Sequence, residues 1–368
     1  MTDREAYIGL NMIQGIGPVT VASLVSALGS PKAILAAGKS ELEAVRGIGP
    51  GMAAKIVDQR AGIDPSEELG KAAALGIAIL TRDDAEYPRR LCEIHDPPLA
   101  LYVRGKLIGT EPCIAVVGTR HATHYGRDCA ERLSYQLVQA GFTVASGLAL
   151  GVDTAAHKGA LKAGGRTVAV IGCGLDTMYP PENKALAAEI AASGAVVSEF
   201  PLGRQPDRTT FAIRNRVVSG MSMGVLVIEA GKTSGALITS RQALEQGRTV
   251  FAVPGRIDSP TSRGTHDLLK NGARLVEDVQ DILDEFEFLI HPRSMAQGVA
   301  KPAGPAPKLS SEESRLVELL KSGAMDVDSL IREAGIEPAV VCSLLIGLEM
   351  KKVARMLPGR QVELVRST

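Results

Sequence analysis

From residue 113 onward the chain alternates short runs that are apolar at every position with longer amphipathic stretches, and few folds accommodate that pattern. The apolar runs are 113–118, 142–146, 167–171, 195–198, 225–229 and 249–253. Between them, 127–140, 154–163, 183–192 and 236–246 carry helical periodicity. A strand without polar alternation is covered on both faces, and strands separated by helices pair in parallel. The predicted fold is therefore α/β: a Rossmann-like, doubly wound, mostly parallel sheet. Ligands of such sheets sit at the C-terminal ends of the strands.

Both flanks differ from this centre. In the first segment IQGIGPVTVASLV (13–25) returns as VRGIGPGMAAKIV (45–57). Each copy reads as a helix, a Gly-x-Gly turn and a second helix opening at Pro18 or Pro50, which predicts an all-α helix-hairpin-helix or SAM-like domain. Such hairpins can hold duplex phosphates on helix N-termini. They can equally be structural only, because Arg46 and Lys55 are almost the only basic residues nearby. A connector with a strand near 76–81 leads into the sheet. The Pro-, Gly- and Ala-rich run ending at Lys308 reads as a linker. Three helices and two short strands follow, predicting a winged-helix-like tail whose third helix, EPAVVCSLLIGLEM, lacks groove-reading side chains. The boundaries drawn are 1–74, 75–290 with its connector at 75–112, 291–308 and 309–368.

Composition narrows the function. The 368 residues carry no net charge, 3% aromatics and no Trp, so a polyanion can be held only locally, and each well-placed ring counts. Five scattered cysteines without a CxxC pair fit a reduced, cytoplasmic protein. No run is long enough to span a membrane, and the mixed-charge start MTDREAYIGL does not resemble an export signal.

Unusual residues gather at the strand ends: Gly118-Thr119-Arg120, Ser146-Gly147-Leu148, Gly172 with Gly174, and Ser234-Gly235. Small residues opening a helix let backbone N–H groups face an anion, and four such turns on one edge predict a phosphate-lined crevice. The segment RQPDRTTFAIRNR (204–216) adds four arginines, Asn215 and Phe211. A guanidinium forks onto phosphate and a neighbouring ring stacks an unpaired base, so Arg208 and Phe211 are expected to meet ligand. Arg214 fits either a ligand contact or an internal bridge to Glu199 or Glu229. Arg216 fits the internal role.

Other chemistries lack their residues. GTRHATHYG is not GxGxxG, and the GKT at 231–233 would set the first Walker glycine at Leu226, inside a strand. His121 and His124 have no further ligands in view, so no metal is expected. His157 reads as a hydrogen-bonding group on its helix. No nucleophilic triad or acid/base pair emerges from Asp153, Asp176, Glu199 and Glu229, and no cofactor is called for.

Eight motifs in order carry a family resemblance: GTR (118–120), SGLALGVDTAAH (146–157), GCGLDTMYPPEN (172–183), SEF (198–200), RNR (214–216), EAGKTSGALIT (229–239), GRTVFAVPG (247–255) and GTHDLLKNGA (264–273). Together they resemble the DprA/Smf family. The resemblance implies a non-enzymatic protein that binds single-stranded DNA, protects it during natural transformation and helps load the recombinase RecA. It implies a homodimer through the Rossmann-like domain, with the dimer surface near 265–276, and DNA contacts at Arg120, Arg208 and Phe211. Leu150, Ala212 and His266 stand where many members have Arg, Pro and Asn. The alternative is a Rossmann-like nucleotide-processing hydrolase, whose usual PGGxGTxxE loop is missing after Pro254-Gly255.

Overall fold

The computed structural model describes residues 1–286, 310–320, 325–350, 353–357 and 361–364. Six helices come first: α1 (Asp3–Met12), α2 (Pro18–Leu28), α3 (Pro31–Ala36), α4 (Lys39–Glu43), α5 (Pro50–Arg60) and α6 (Pro65–Ala74). The duplicated turns lie between α1 and α2 and between α4 and α5. Gly15 and Gly47 take φ of 89° and 90° there, a left-handed backbone that a side chain resists. Pro18 and Pro50 open α2 and α5, as the repeat predicts. The two hairpins also grip each other: Gln59 accepts from the Gln14 N–H at 2.8 Å and donates to its carbonyl.

Beyond α6 the chain builds one nine-stranded sheet. Its strands are β1 (Ala78–Leu80), β2 (Leu101–Gly105), β3 (Cys113–Val117), β4 (Thr143–Ser146), β5 (Thr167–Val170), β6 (Ala195–Ser198), β7 (Gly224–Val227), β8 (Thr249–Ala252) and β9 (Arg274–Leu275). They lie in the order β1-β2-β6-β5-β4-β3-β7-β8-β9. From β6 through β9 every pairing is parallel, while the connector adds β2 and β1 antiparallel at one edge. The helices are α7 (Arg89–Cys92), α8 (His124–Gln139), α9 (Val152–Lys162), α10 (Lys184–Ser193), α11 (Arg208–Gly220), α12 (Ala236–Glu245), α13 (Arg263–Lys270) and α14 (Gln280–Phe286).

Both faces of the sheet are covered along β3 to β8, which is why these inner strands lack polar alternation. Along β3, Ala115 and Val117 enter one core cluster while Ile114 and Val116 enter another. The chain fills β3 to β6 in one direction, then crosses through α11 to lay β7 to β9 on the other side of β3. That reversal opens a crevice beyond the C-terminal ends of β3, β4 and β7.

The core continues across the boundary drawn at 74. Ile8 of α1 and Ala72 of α6 share a cluster with Tyr102 and Ile171 of the sheet. Glu68 accepts from the Tyr102 hydroxyl at 2.8 Å and from the Leu202 N–H, and Asn11 donates to the Glu199 carbonyl.

The C-terminal unit is a small winged helix in its own right. It contains α15 (Ser311–Leu320), α16 (Val327–Ala334), α17 (Pro338–Met350) and the sheet β10-β12-β11, formed by Met325–Asp326, Gln361–Leu364 and Ala354–Leu357. Leu316, Leu330, Val341 and Leu348 fill its core. The linker expected at 291–308 lies outside the described residues. Among the described residues no helix is long and apolar enough to cross a membrane.

Candidate nucleic-acid interface

A cleft of about 740 Å³ lies at the strand ends where the crevice was expected. Gly118, Thr119 and Arg120 form one wall, Thr233 to Ala236 the opposite one, and α11 crosses the floor. This helix starts because Asp207 and Thr210 make a capping box: the Asp207 carboxylate accepts the Thr210 N–H at 2.8 Å, and the Thr210 hydroxyl accepts the Asp207 N–H. Helical spacing then turns Arg208, Phe211, Ala212 and Asn215 toward the cleft.

Aromatic and cationic groups converge on Phe211. The Arg120 guanidinium lies over its ring at 5.1 Å, and the Tyr179 ring sits 5.5 Å away, tilted by 32°. Gly172 supports the ring from beneath, where a Cβ would stand 2.9 Å from Phe211 Cδ1. Arg204 is engaged by Asp207, whereas Arg120 and Arg208 are exposed and form no ion pair among the described residues. Asn215 reaches the Gly235 carbonyl at 3.5 Å, and Ser234 and Gly235 line the cleft where α12 begins.

The structure corrects part of the phosphate-loop expectation. Ser146 is fully buried and its hydroxyl donates to the Val116 carbonyl at 2.6 Å, so it meets no ligand. Leu148 is also fully buried, its side chain drawn into the core by a left-handed backbone with φ of 56°. The N–H groups of Gly147 and Ala149 are spent on the Asp153 carboxylate, at 3.0 and 3.3 Å. Thr119 gives its N–H to the Glu229 carbonyl. At the start of α8, the Glu229 carboxylate accepts from the Thr123 N–H and hydroxyl and from Thr261. Two anion positions are thus filled by the protein's own carboxylates, leaving the arginines and the α12 N-terminus to a ligand.

Of the two roles open to Arg214, the hydrogen bonds show an interior one, although the residue also borders the cleft. It is buried, and its Nη1 donates to the carbonyls of Gly147 and Val170, tying α11 to β4 and β5. Burial pulls its pKa down, against the attraction of Asp153, whose own carboxyl burial pushes up. Arg216 takes the internal role expected for it, bridging Glu199 at 2.6 Å and Asp96 at 2.9 Å. Burial raises the Glu199 pKa, with Arg216 opposing. His157 is fully buried, and it hydrogen-bonds as expected. The Thr167 hydroxyl donates to the Val144 carbonyl, so it accepts from Nδ1 of His157 at 2.7 Å, and Nε2 stays unpaired. Burial, aided by the Arg214 charge, lowers the imidazole pKa to about 3.

His124 pairs with Asp128 on the exposed start of α8, and the described residues hold no His/Cys/Asp/Glu cluster suited to a metal. Tyr179 is a cleft residue that the sequence reading passes over as a ligand group. In a chain so poor in rings, the Tyr-Pro closing the GLDTMYP run was the available signal.

Comparison with known proteins follows the same three segments. Residues 78–287 match the family model described as DNA recombination-mediator protein A, 300–360 match the DprA winged helix domain, and 8–61 match a SAM-like helix-hairpin-helix tandem. The chain is 39% identical to Protein Smf of Escherichia coli K12 over 293 residues, 78% of each chain. It is 46% identical to DNA processing protein DprA of Streptococcus pneumoniae over 203 residues, 55% of this chain and 72% of the relative. The X-ray structure of the S. pneumoniae protein superposes with a TM-score of 0.68 at 35% identity, over 79% of this chain and 99% of that one. A Helicobacter pylori DNA processing protein A, studied for its single-stranded DNA binding mode, gives 0.52 at 30% identity, over 58% of this chain and 97% of that one.

Proposed function

The chain belongs to the DprA/Smf family of DNA-processing proteins, and from that premise we propose that it holds single-stranded DNA in the cleft beneath Arg120, Arg208 and Phe211. The observation that carries the reading is the Arg120 guanidinium over the Phe211 ring, in a cleft that Arg208 also lines as an exposed cation while Arg214 is buried. Phosphates meet Arg120, Arg208 and the α12 N-terminus near Ser234 and Gly235, while an unpaired base stacks beside Phe211. Gly118, Thr119, Gly147, Gly172 and Asn215 shape the walls. A duplex cannot present an unstacked base to this platform, so the site favours single strands.

In the cell, on this reading, the protein works in the cytoplasm, protecting incoming single strands and helping RecA load onto them during transformation and recombination. A homodimer through the Rossmann-like domain supplies avidity. The open outer edge of β9, with Leu275 47% exposed, suits the dimer surface expected near 265–276. The test titrates labelled single strand and duplex against wild type and the Arg120→Ala, Arg208→Ala double variant. Single-strand preference that the double variant largely loses supports the site, whereas undiminished binding overturns it.

A further inference from the structure

We infer that Tyr179 is a second base-stacking residue and that Leu150, Tyr179 and Phe211 form one slot for an unpaired nucleobase. The inference rests on the single-strand reading above and extends it to residues outside the arginine-rich segment. A small cavity of about 50 Å³ lies between these three side chains, Pro180 and Arg120. Tyr179 is 40% exposed and Leu150 41%, so both present apolar surface to solvent at the cavity mouth.

The hydroxyl separates Tyr179 from Tyr87, Tyr102 and Tyr125, and its place in the cleft against the Phe211 ring separates it from Tyr7 and Tyr135. Tyr87 and Tyr102 are fully buried, with their hydroxyls bonded to the Pro98 carbonyl and to Glu68. Tyr125 is half exposed but is tethered through its hydroxyl to the Pro254 carbonyl. The Tyr179 hydroxyl bonds no protein group among the described residues, and the ring's tilted contact is with Phe211. A ring pair that is open to solvent at one end and floored by Gly172 at the other is a platform that a planar base can extend. Leu150 gives that base an apolar edge and offers no charge to phosphate, so the slot takes the base, and the backbone follows Arg120 along the rim.

The chain contains no tryptophan, so Tyr179→Trp installs a single indole whose emission a stacked base quenches. The full chain is titrated with a short homothymidine oligonucleotide, with the same oligonucleotide annealed to its complement, and with inorganic polyphosphate. We expect quenching by the single strand and not by duplex or polyphosphate. Tyr179→Ala should weaken single-strand binding about tenfold, while Tyr179→Phe stays within about twofold of wild type, because stacking needs the ring and not the hydroxyl. An unquenched indole, with Tyr179→Ala binding as wild type, overturns the slot while leaving the single-strand site standing. Failure of wild type to bind the oligonucleotide overturns the single-strand reading itself, and the slot with it. Thermal melts of the three variants, with Tyr179→Phe as the conservative reference, separate a lost contact from a lost fold.

Discussion

The Arg120 guanidinium stands over the Phe211 ring with its central carbon 5.1 Å from the ring centroid. An exposed cation on an aromatic face gains about 0.5–1 kcal/mol, which biases the long side chain toward this position against about 2 kcal/mol of rotamer freedom. Arg120 comes from the loop after β3 and Phe211 from α11, so the pair spans the two halves of the cleft.

Removing each partner should leave a different signature. Arg120→Ala is expected to weaken single-strand binding and to flatten the dependence of log K on log salt by about 0.7, the value of one phosphate contact on a single strand. Phe211→Leu should weaken binding about tenfold and leave that slope unchanged, because stacking releases no counterion. Anisotropy titrations across a salt series decide this, and equal slope changes in both variants would contradict it.

Arg214 and Arg208 should divide stability from binding. Arg214→Ala leaves the Gly147 and Val170 carbonyls without their donor and removes the charge that attracts the buried Asp153 carboxyl, at a cost of about 2–4 kcal/mol. Arg208→Ala sits on the exposed rim and should change stability by less than about 0.5 kcal/mol while lowering affinity. Urea denaturation read beside binding titrations checks both.

His157 should make the fold sensitive to acid. Its folded pKa, about 3, lies below the ordinary 6.5, so the unfolded chain takes up the proton first as pH falls. The contribution of this group is therefore fully present above pH 6.5 and is lost progressively toward pH 3. Between pH 7.5 and 5 the loss is about 2 kcal/mol. The buried carboxyls Asp153 and Glu199, with raised pKa values, act in the opposite sense as pH falls, so the readout is a difference. His157→Gln should flatten the pH slope of urea stability relative to wild type, and an unchanged slope would refute the assignment.

Gly126→Ala tests the internal carboxylate at α8. A Cβ at this position collides with the Glu229 carboxylate, which must then leave Thr123 and Thr261. Overpacking of this kind costs about 1–3 kcal/mol, and the loss of the Thr123 contacts adds to it. A urea midpoint equal to that of wild type would show that Glu229 does not hold the helix start.

Much of this architecture was legible in the residues. Uniformly apolar strands announced a sheet covered on both faces, and the Gly-Pro repeat announced the paired hairpins. The helix α11 was not read, because its arginines and Phe211 drew the reading toward ligand contacts. Its start signal, Asp207 with Thr210 three residues on, was present all the same. β2 went unread as well: it is a five-residue strand in a Pro-flanked connector, and its partner β6 lies some ninety residues further on. The site was misjudged where a local pattern has two physical outcomes. Ser146 and Gly147 look like a phosphate loop, and only the packing shows that Asp153, six residues from Gly147, supplies the anion from within. Arg214 is open to the same ambiguity, since its interior carbonyl partners come from sequence positions 67 and 44 residues away.

The two rows of α11 answer to different masters. Thr210, Arg214 and Val217 face inward and keep the helix seated, whereas Arg208, Phe211, Ala212 and Asn215 face the cleft. One row can therefore drift in charge, size or aromaticity while the other holds register. A chain built this way can retune what its cleft accepts, and how tightly, without reopening the question of how it folds.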